Sequence, residues 1–456
     1  MNNKITKAEK SVAPVDSKDI KKGDAFWDVD KHGNVIPWVD RKHQSIQYAN
    51  ALANINEYAA TKGIEFKVSE DQVQRVFLCG EYREYKSYVN AETDDVMKHS
   101  LHRAFFCKRR MCPQCMWLRT MTESHINKLV LEEIHKEYKS AYGYFLTLTV
   151  KNVKADQLND TIKHIMKSFT KMMRKSRIKK YLLGYSRTVE VTYNAKTDTY
   201  HPHIHAILIF KSSLRNSEKG IFKQSKKNGQ NEFIDMWQEA AELDYRPSIT
   251  IEQYTKAKTY VGKYGRKKGK TIHKTREQNI SSSAAELSKY PTEIIDVAEA
   301  IPIYDDSESD QSHNGERNLI GYDYVYNLDQ LLTIEEAFFN KRLMTYGGIF
   351  KKKRNEIKKQ IIEQAKLNEE EEEKVFSYTD GEGNSVTYRL TKEDILYNYF
   401  RAIYNYAEEY RNKAFIVSEM EKGLTGSEFQ SRYGYSSDDE EDQENQEYIE
   451  IVKSTM

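Results

Sequence analysis

The chain has 456 residues, 39% hydrophobic and 31% charged, enough for two or three folded units with a sizeable core and a wet surface. A formal net charge of +2, from 71 basic and 69 acidic side chains, neither demands nor forbids a nucleic-acid partner. No run of about 18 apolar residues occurs and no apolar stretch follows the N-terminal lysines, so neither a membrane span nor a secretory signal is expected, and a cytoplasmic protein is.

Residues 1–70 are polar and weakly patterned, with a small folded piece expected around Ala25 to Trp38. Residues 71–135 carry all four cysteines and then a helix. In a chain without secretory features, cysteines indicate metal or chemistry before disulfides. Cys107-x4-Cys112-x2-Cys115, with Cys79 upstream beside Gly80, has the spacing of a zinc knuckle. Four thiolates would close a structural, tetrahedral Zn²⁺ site. His102 is an alternative to Cys79, and free buried thiols are the alternative to a metal. Arg109, Arg110 and Arg119 are either phosphate contacts or exposed surface residues.

Residues 140–300 read as one α+β unit in which helices cover an antiparallel sheet. Tyr144 to Val150 (YFLTLTV) is β-branched and aromatic and predicts a strand. Leu158, Ile162, Ile165, Phe169 and Met172 recur at helical spacing. The opposite face carries Lys163, Lys167, Lys171, Arg174 and Lys175, which offer salt-sensitive phosphate contacts, as do Arg266, Lys267 and Lys268 further on. Arg187 to Tyr193 and His203 to Phe210 predict a hairpin across a turn at Asn194 to Thr199. A helix over Phe233 to Leu243, a strand over Pro247 to Tyr254 and a short helix over Ser281 to Tyr290 follow. Residues 320–430 are expected to be mainly helical: Leu331 to Lys366, broken at Gly347-Gly348, and about Asp394 to Lys413. In the second of these, Tyr399, Phe400, Tyr404 and Tyr406 read as packing residues before base-stacking platforms. Residues 431–456 read as an acidic, disordered tail.

His201-Pro202-His203-Ile204-His205 opens the strand that carries the chemistry. Side chains alternate along a strand, so His203 and His205 share a face about 6–7 Å apart along the backbone. Two imidazoles so placed grip one divalent ion. Glu190, on the partner strand, is the third ligand, and the set suits Mg²⁺ or Mn²⁺ acting on a phosphate. His201 has the same parity, as a further ligand, a cap on the site or a DNA contact. The alternative is a surface strand that happens to carry histidines.

With these motifs in place the chain resembles the HUH endonucleases, which carry two histidines around a hydrophobic residue. Within them it is most similar to the rolling-circle plasmid replication initiators of Gram-positive bacteria that use one tyrosine and one glutamate. The likeness runs from about Val76 to Tyr404 and includes Phe145 to Val153, Cys107 to Arg119 (CKRRMCPQCMWLR), Glu190 to Asn194 (EVTYN), Glu286 to Tyr290 (ELSKY) and Tyr346-Gly347-Gly348. It implies origin binding and site-specific nicking of one strand, with a covalent 5′-phosphotyrosine and a 3′-hydroxyl primer. It assigns the nucleophile to Tyr290 and a later hydrolytic or second-cleavage role to Glu286. Lys289 is then a source of positive charge for the phosphate or a solvated surface lysine. The implied partners are origin DNA in double- and single-stranded form and a host helicase, DNA polymerase and single-strand binding protein; a homodimer is compatible with it.

Positions i and i+4 share a helix face, so Glu286 and Tyr290 would look the same way, although Pro291 biases Tyr290 away from helix. Tyr260 and Tyr264, in a YVGKY motif, are competing nucleophiles. A mobilisation relaxase or a transposase would share the chemistry. A zinc-containing DNA-binding regulator with structural histidines is the non-enzymatic alternative.

Overall fold

The computed structural model describes residues 20–30, 34–211, 232–261, 270–288, 298–304, 319–370, 373–379, 385–391, 393–405, 414–425, 428 and 440–455. In chain order these form β1 (Ala25–Phe26), α1 (Trp38–Thr61), α2 (Glu70–Phe77), β2 (Tyr82–Asn90), β3 (Val96–Ala104), α3 (Pro113–Glu137), β4 (Tyr142–Thr149), α4 (Ala155–Arg174), α5 (Ser176–Lys179), β5 (Leu182–Asn194), β6 (Thr199–Phe210), α6 (Glu232–Ala240), β7 (Ile249–Gln253), β8 (Lys258–Val261) and β9 (Thr271–Lys274). There follow α7 (Arg276–Leu287), β10 (Ala298–Tyr304), β11 (Leu319–Tyr326), α8 (Leu328–Phe338), β12 (Met344–Gly348), α9 (Ile349–Glu370), β13 (Glu373–Thr379), β14 (Ser385–Thr391), β15 (Ile395–Asn405), β16 (Ala414–Thr425) and α10 (Glu440–Thr455).

Two five-stranded antiparallel sheets organise the described residues, in the orders β12-β5-β6-β4-β7 and β1-β16-β15-β2-β3. The first is the expected α+β unit. Period-2 alternation gives it two apolar faces. Leu146, Leu148, Val189, Ile204, Ala206 and Leu208 share a core with the α4 stripe Leu158, Ile162, Ile165, Phe169 and Met172. Phe145, Ile207 and Ile209 face the other way, onto Ile126 and Val130 of α3, Ala284 and Leu287 of α7 and Phe350 of α9. α4 and α7 therefore cover opposite faces of one sheet.

Several expectations are corrected. The polar N-terminal segment contains the 24-residue helix α1. Its buried face holds Lys42, His43, Gln44 and Ser45 beside Tyr48, Leu52 and Ile55, so no apolar stripe announces it. The C-terminal region supplies helices α8, α9 and α10, but the aromatic segment expected to be helical from about Asp394 is strand β15, paired with β2 and β16. Its pairing with β16 slips at Tyr397/Tyr399 and Arg401/Ala402, and aromatic residues are buried on both faces, so it shows no clean alternation. Tyr399, Phe400 and Tyr404 are buried packing residues, as expected; Tyr406 lies outside the described residues.

The acidic tail, expected to be disordered, ends in α10, whose Ile449, Ile451 and Val452 are buried and which packs on α3 and α9. Gly347-Gly348 is no helix break but the junction of β12 and α9. Gly348 has φ +59°, and a Cβ there would collide with the Leu183 carbonyl oxygen. β12 thereby joins the edge of the first sheet beside β5. The short helix expected over Ser281 to Tyr290 begins earlier, at Arg276, behind a capping box of Thr275 and Gln278.

Candidate active site

The β5–β6 hairpin builds the site. Its register sets Glu190 opposite His203, Thr188 opposite His205 and Thr192 opposite His201. Residues directly opposite in an antiparallel pair project to the same face. Glu190 Oε2 lies 3.0 Å from His205 Nε2 and 3.5 Å from His203 Nε2. The two Nε2 atoms are 3.1 Å apart. All three ligand atoms converge within 4.8 Å on the face covered by α3, α7 and α9. His203 Nδ1 is 3.1 Å from the His201 carbonyl oxygen, and His205 Nδ1 is 3.1 Å from Thr147 Oγ1. Engaging both Nδ1 atoms leaves both Nε2 atoms to a cation. Burial opposes ionisation of Glu190, yet hydrogen bonds and charge from His203 and His205 outweigh it and hold the carboxyl at about 2. Three protein ligands leave coordination positions for a phosphate oxygen and water, so the residues present fit a divalent ion.

His201 stands apart from this trio. Its Nδ1 is 2.9 Å from Asn152 Oδ1, and its ring stacks on His203 with centroids 5.2 Å apart. Burial and the neighbouring His203 lower its pKa.

α7 lies across β5 and β6 on the trio's face. Ala284 and Leu287 pack in the core it shares with α3, and Ser288 caps its end, donating to the Ala284 carbonyl and accepting from Asn127 Nδ2 at 2.9 Å. Glu286 occupies the last turn. Lys289, Tyr290 and Pro291 lie outside the described residues, as do Tyr264, Arg266, Lys267 and Lys268. Tyr260 belongs to β8, which pairs with β9 and not with the trio's sheet.

The four cysteines meet. Cys79, at the end of α2, Cys107, after β3, and Cys112 and Cys115, at the start of α3, bring their sulfurs within 4.8 Å of one another. Cys115 Sγ is 3.5 Å from Cys79 Sγ and 3.6 Å from Cys107 Sγ. A tetrahedron with Zn–S bonds of about 2.3 Å has edges of about 3.8 Å, so the set fits Zn²⁺ without rearrangement. His102 instead sits edge-on to Tyr399. Burial pushes the Cys79 thiol well up, a cost that a bound cation reverses.

The basic residues divide. Lys163, Lys171 and Lys175 pair with Asp160, Glu242 and Glu239, while Lys167 and Arg174 are exposed with no acidic partner among the described residues. All five belong to α4 or its end, on the sheet face away from the trio. Arg109 and Arg110 are structural: Arg109 holds Tyr48 and Glu335, and Arg110 donates to the Phe338 and Lys341 carbonyls. Thr147 and Asn152 escaped notice in the sequence. Parity along the Phe145 to Val153 motif was the available signal, since Thr147 pairs with His205.

The sequence profile of the family Rep_1, described as a replication protein, matches residues 98–397. "Protein rep" of Bacillus amyloliquefaciens is 31% identical over 326 residues, covering 71% of this chain and 83% of that protein. "Protein rep" of Streptococcus pneumoniae serotype 2 is 29% identical over 340 residues, covering 75% and 85%. "Protein rep" of Lentilactobacillus hilgardii is 28% identical over 341 residues, covering 75% and 88%. No solved structure matches the chain.

Proposed function

This chain belongs to the Rep_1 family of replication proteins, and from that premise we propose that it initiates rolling-circle plasmid replication by nicking one strand at the origin. The observation that carries the reading is the convergence of Glu190, His203 and His205 on the sheet face that α7 crosses. Mg²⁺ or Mn²⁺ bound there would supply charge neutralisation on the scissile phosphate. Glu190 brings the negative charge that retains the cation, and Thr147 fixes the ring of His205.

The Tyr290 phenol oxygen attacks phosphorus. The Tyr290 O–P bond forms, the P–O3′ bond breaks, the phenolic proton passes to solvent, and the 3′-oxygen leaves as a hydroxyl after taking a proton from water. The phosphotyrosine keeps the bond energy, so the strand can be rejoined, and the 3′-hydroxyl primes a polymerase. Glu286, in the last turn before the tyrosine, is the base for water or the second cleavage at termination, and Lys289 adds positive charge. The four cysteines would hold Zn²⁺ as a structural ion. The exposed cations of α4 serve duplex DNA on the opposite face, and host helicase, polymerase and single-strand binding protein complete the reaction.

The test incubates the purified protein with Mn²⁺ and a supercoiled plasmid carrying its origin. Relaxed circles and a covalent adduct are expected, and Tyr290→Phe should abolish the adduct. Binding without cleavage would instead identify a regulator. Loss of the adduct in Tyr264→Phe but not in Tyr290→Phe would move the nucleophile.

A further inference from the structure

We propose that the cleft between the cysteine-bearing module and the β12 edge of the catalytic sheet is the track on which the single DNA strand runs to the scissile phosphate; this rests on the nicking function proposed above. The cleft has a volume of about 790 Å³ and draws its wall from the segment before α2, from α3, from the α8–β12 connection and from α9. Its cations include Lys67, Lys108, Arg119, Arg342 and Lys351. Its two carboxylates are already engaged, Glu123 by Arg354 and Glu335 by Arg109. Lys67, Arg342 and Lys351 are exposed and have no acidic partner among the described residues. The wall is therefore net positive and complementary to a phosphate backbone.

Amid these charges stands Phe339, 64% exposed. An exposed ring between cations is the arrangement that stacks an unpaired base. A duplex keeps its base faces inside its own stack, so the ring selects a single strand.

The inner end of the cleft supplies continuity with the chemistry. It reaches Thr188, which lies opposite His205 in the hairpin, and Ser288, two positions before Tyr290. Thr188 is 1% exposed, and its Oγ1 has no hydrogen-bond partner among the described residues. A buried hydroxyl left so still has a hydrogen bond to offer to a ligand that reaches it.

The test uses the full-length protein, without added divalent metal, and a fluorescent oligothymidylate followed by anisotropy across a salt series, with a duplex of equal length in parallel. Phe339→Ala is expected to weaken oligothymidylate binding on the order of tenfold, and Phe339→Trp to restore it. Arg342→Ala with Lys351→Ala is expected to flatten the slope of log affinity against log salt by about 0.7 for each phosphate that is no longer neutralised. Duplex binding should hold in all three. All three positions are solvent-facing, so the fold survives the changes. Unchanged oligothymidylate binding in all three, or an equal loss for the duplex, overturns the proposal. Origin nicking with Mn²⁺, run beside it, separates the two ideas. Normal nicking with unchanged binding removes the cleft and leaves the nickase. A wild-type protein that never nicks, while Phe339→Ala still loses the oligonucleotide, removes the nickase and leaves the track.

Discussion

Among the described residues, two clusters of side chains could hold a metal ion, and their differences are those between a closed site and an open one. The cysteine cluster gathers four ligands from three separate places, the end of α2, the segment after β3 and the start of α3. Three of the four are buried, and four ligands leave a tetrahedral ion no vacant position. The Glu190, His203 and His205 cluster takes three ligands from one hairpin, so their spacing is set by strand register and not by the approach of distant segments. Three ligands would leave a bound ion with open coordination positions. α3 links the two, with its first turn in the cysteine cluster and its later turns packed on α7.

The largest effect that would test this contrast comes from removing the ion that the cysteines would hold. Structural zinc contributes on the order of 10 kcal/mol to the folding of small domains. Cys112→Ser should abolish zinc retention and lower the melting temperature, read by metal analysis and calorimetry. A variant that melts as the wild type does would end the structural assignment.

His203→Ala should do the reverse. Nicking should fall by about a thousandfold, the scale of losing a principal electrostatic interaction in a transition state. Zinc content and melting temperature should stay put. Loss of zinc in this variant would erase the distinction.

The link between the sites has a pH signature. His135, on α3, is 5% exposed, 3.1 Å from the Tyr254 hydroxyl, and burial, aided by Arg276, lowers its pKa to about 4. The unfolded chain binds this proton below about 6.5 and the folded chain only below about 4, so stability is full above 6.5 and falls as the pH drops between them. The loss should total on the order of 3 kcal/mol. His135→Gln should flatten that dependence in denaturant titrations at pH 4 to 7; an unaltered slope would remove His135 as its source.

The smallest effect sharpens the Glu190, His203 and His205 side. Thr147→Val leaves every ligand in place but takes away the hydroxyl beside His205 Nδ1. A drop of about tenfold in Mn²⁺ affinity, measured by the metal dependence of nicking, is expected. No change would make Thr147 a packing residue only.

Much of this was legible beforehand because it is local. The α4 stripe needs only the helical period, and the pairing of Glu190 with His203 needs only a hairpin with a short turn. The cysteine spacing places two ligands on one turn at the start of α3, and only the choice of Cys79 over His102 needed three dimensions. What stayed hidden depends on distant partners. α1 buries Ser45 against Cys112 and His43 against Asp323, polar contacts that a hydrophobic pattern does not report. β15 is a strand because β2 and β16 flank it, and its irregular register concealed the alternation.

The amino-acid order alone pointed to the candidate ligands, the hairpin that aligns them and the elements nearest to them, since strand and helix periods act over a few residues. Only the folded chain decided that β12 joins the edge of the sheet that carries the histidines, that α4 turns its cations to the face opposite them, and that His201 bonds Asn152 outside the trio. Those outcomes rest on contacts between residues far apart in the chain, where packing and burial outweigh any preference that a short stretch expresses.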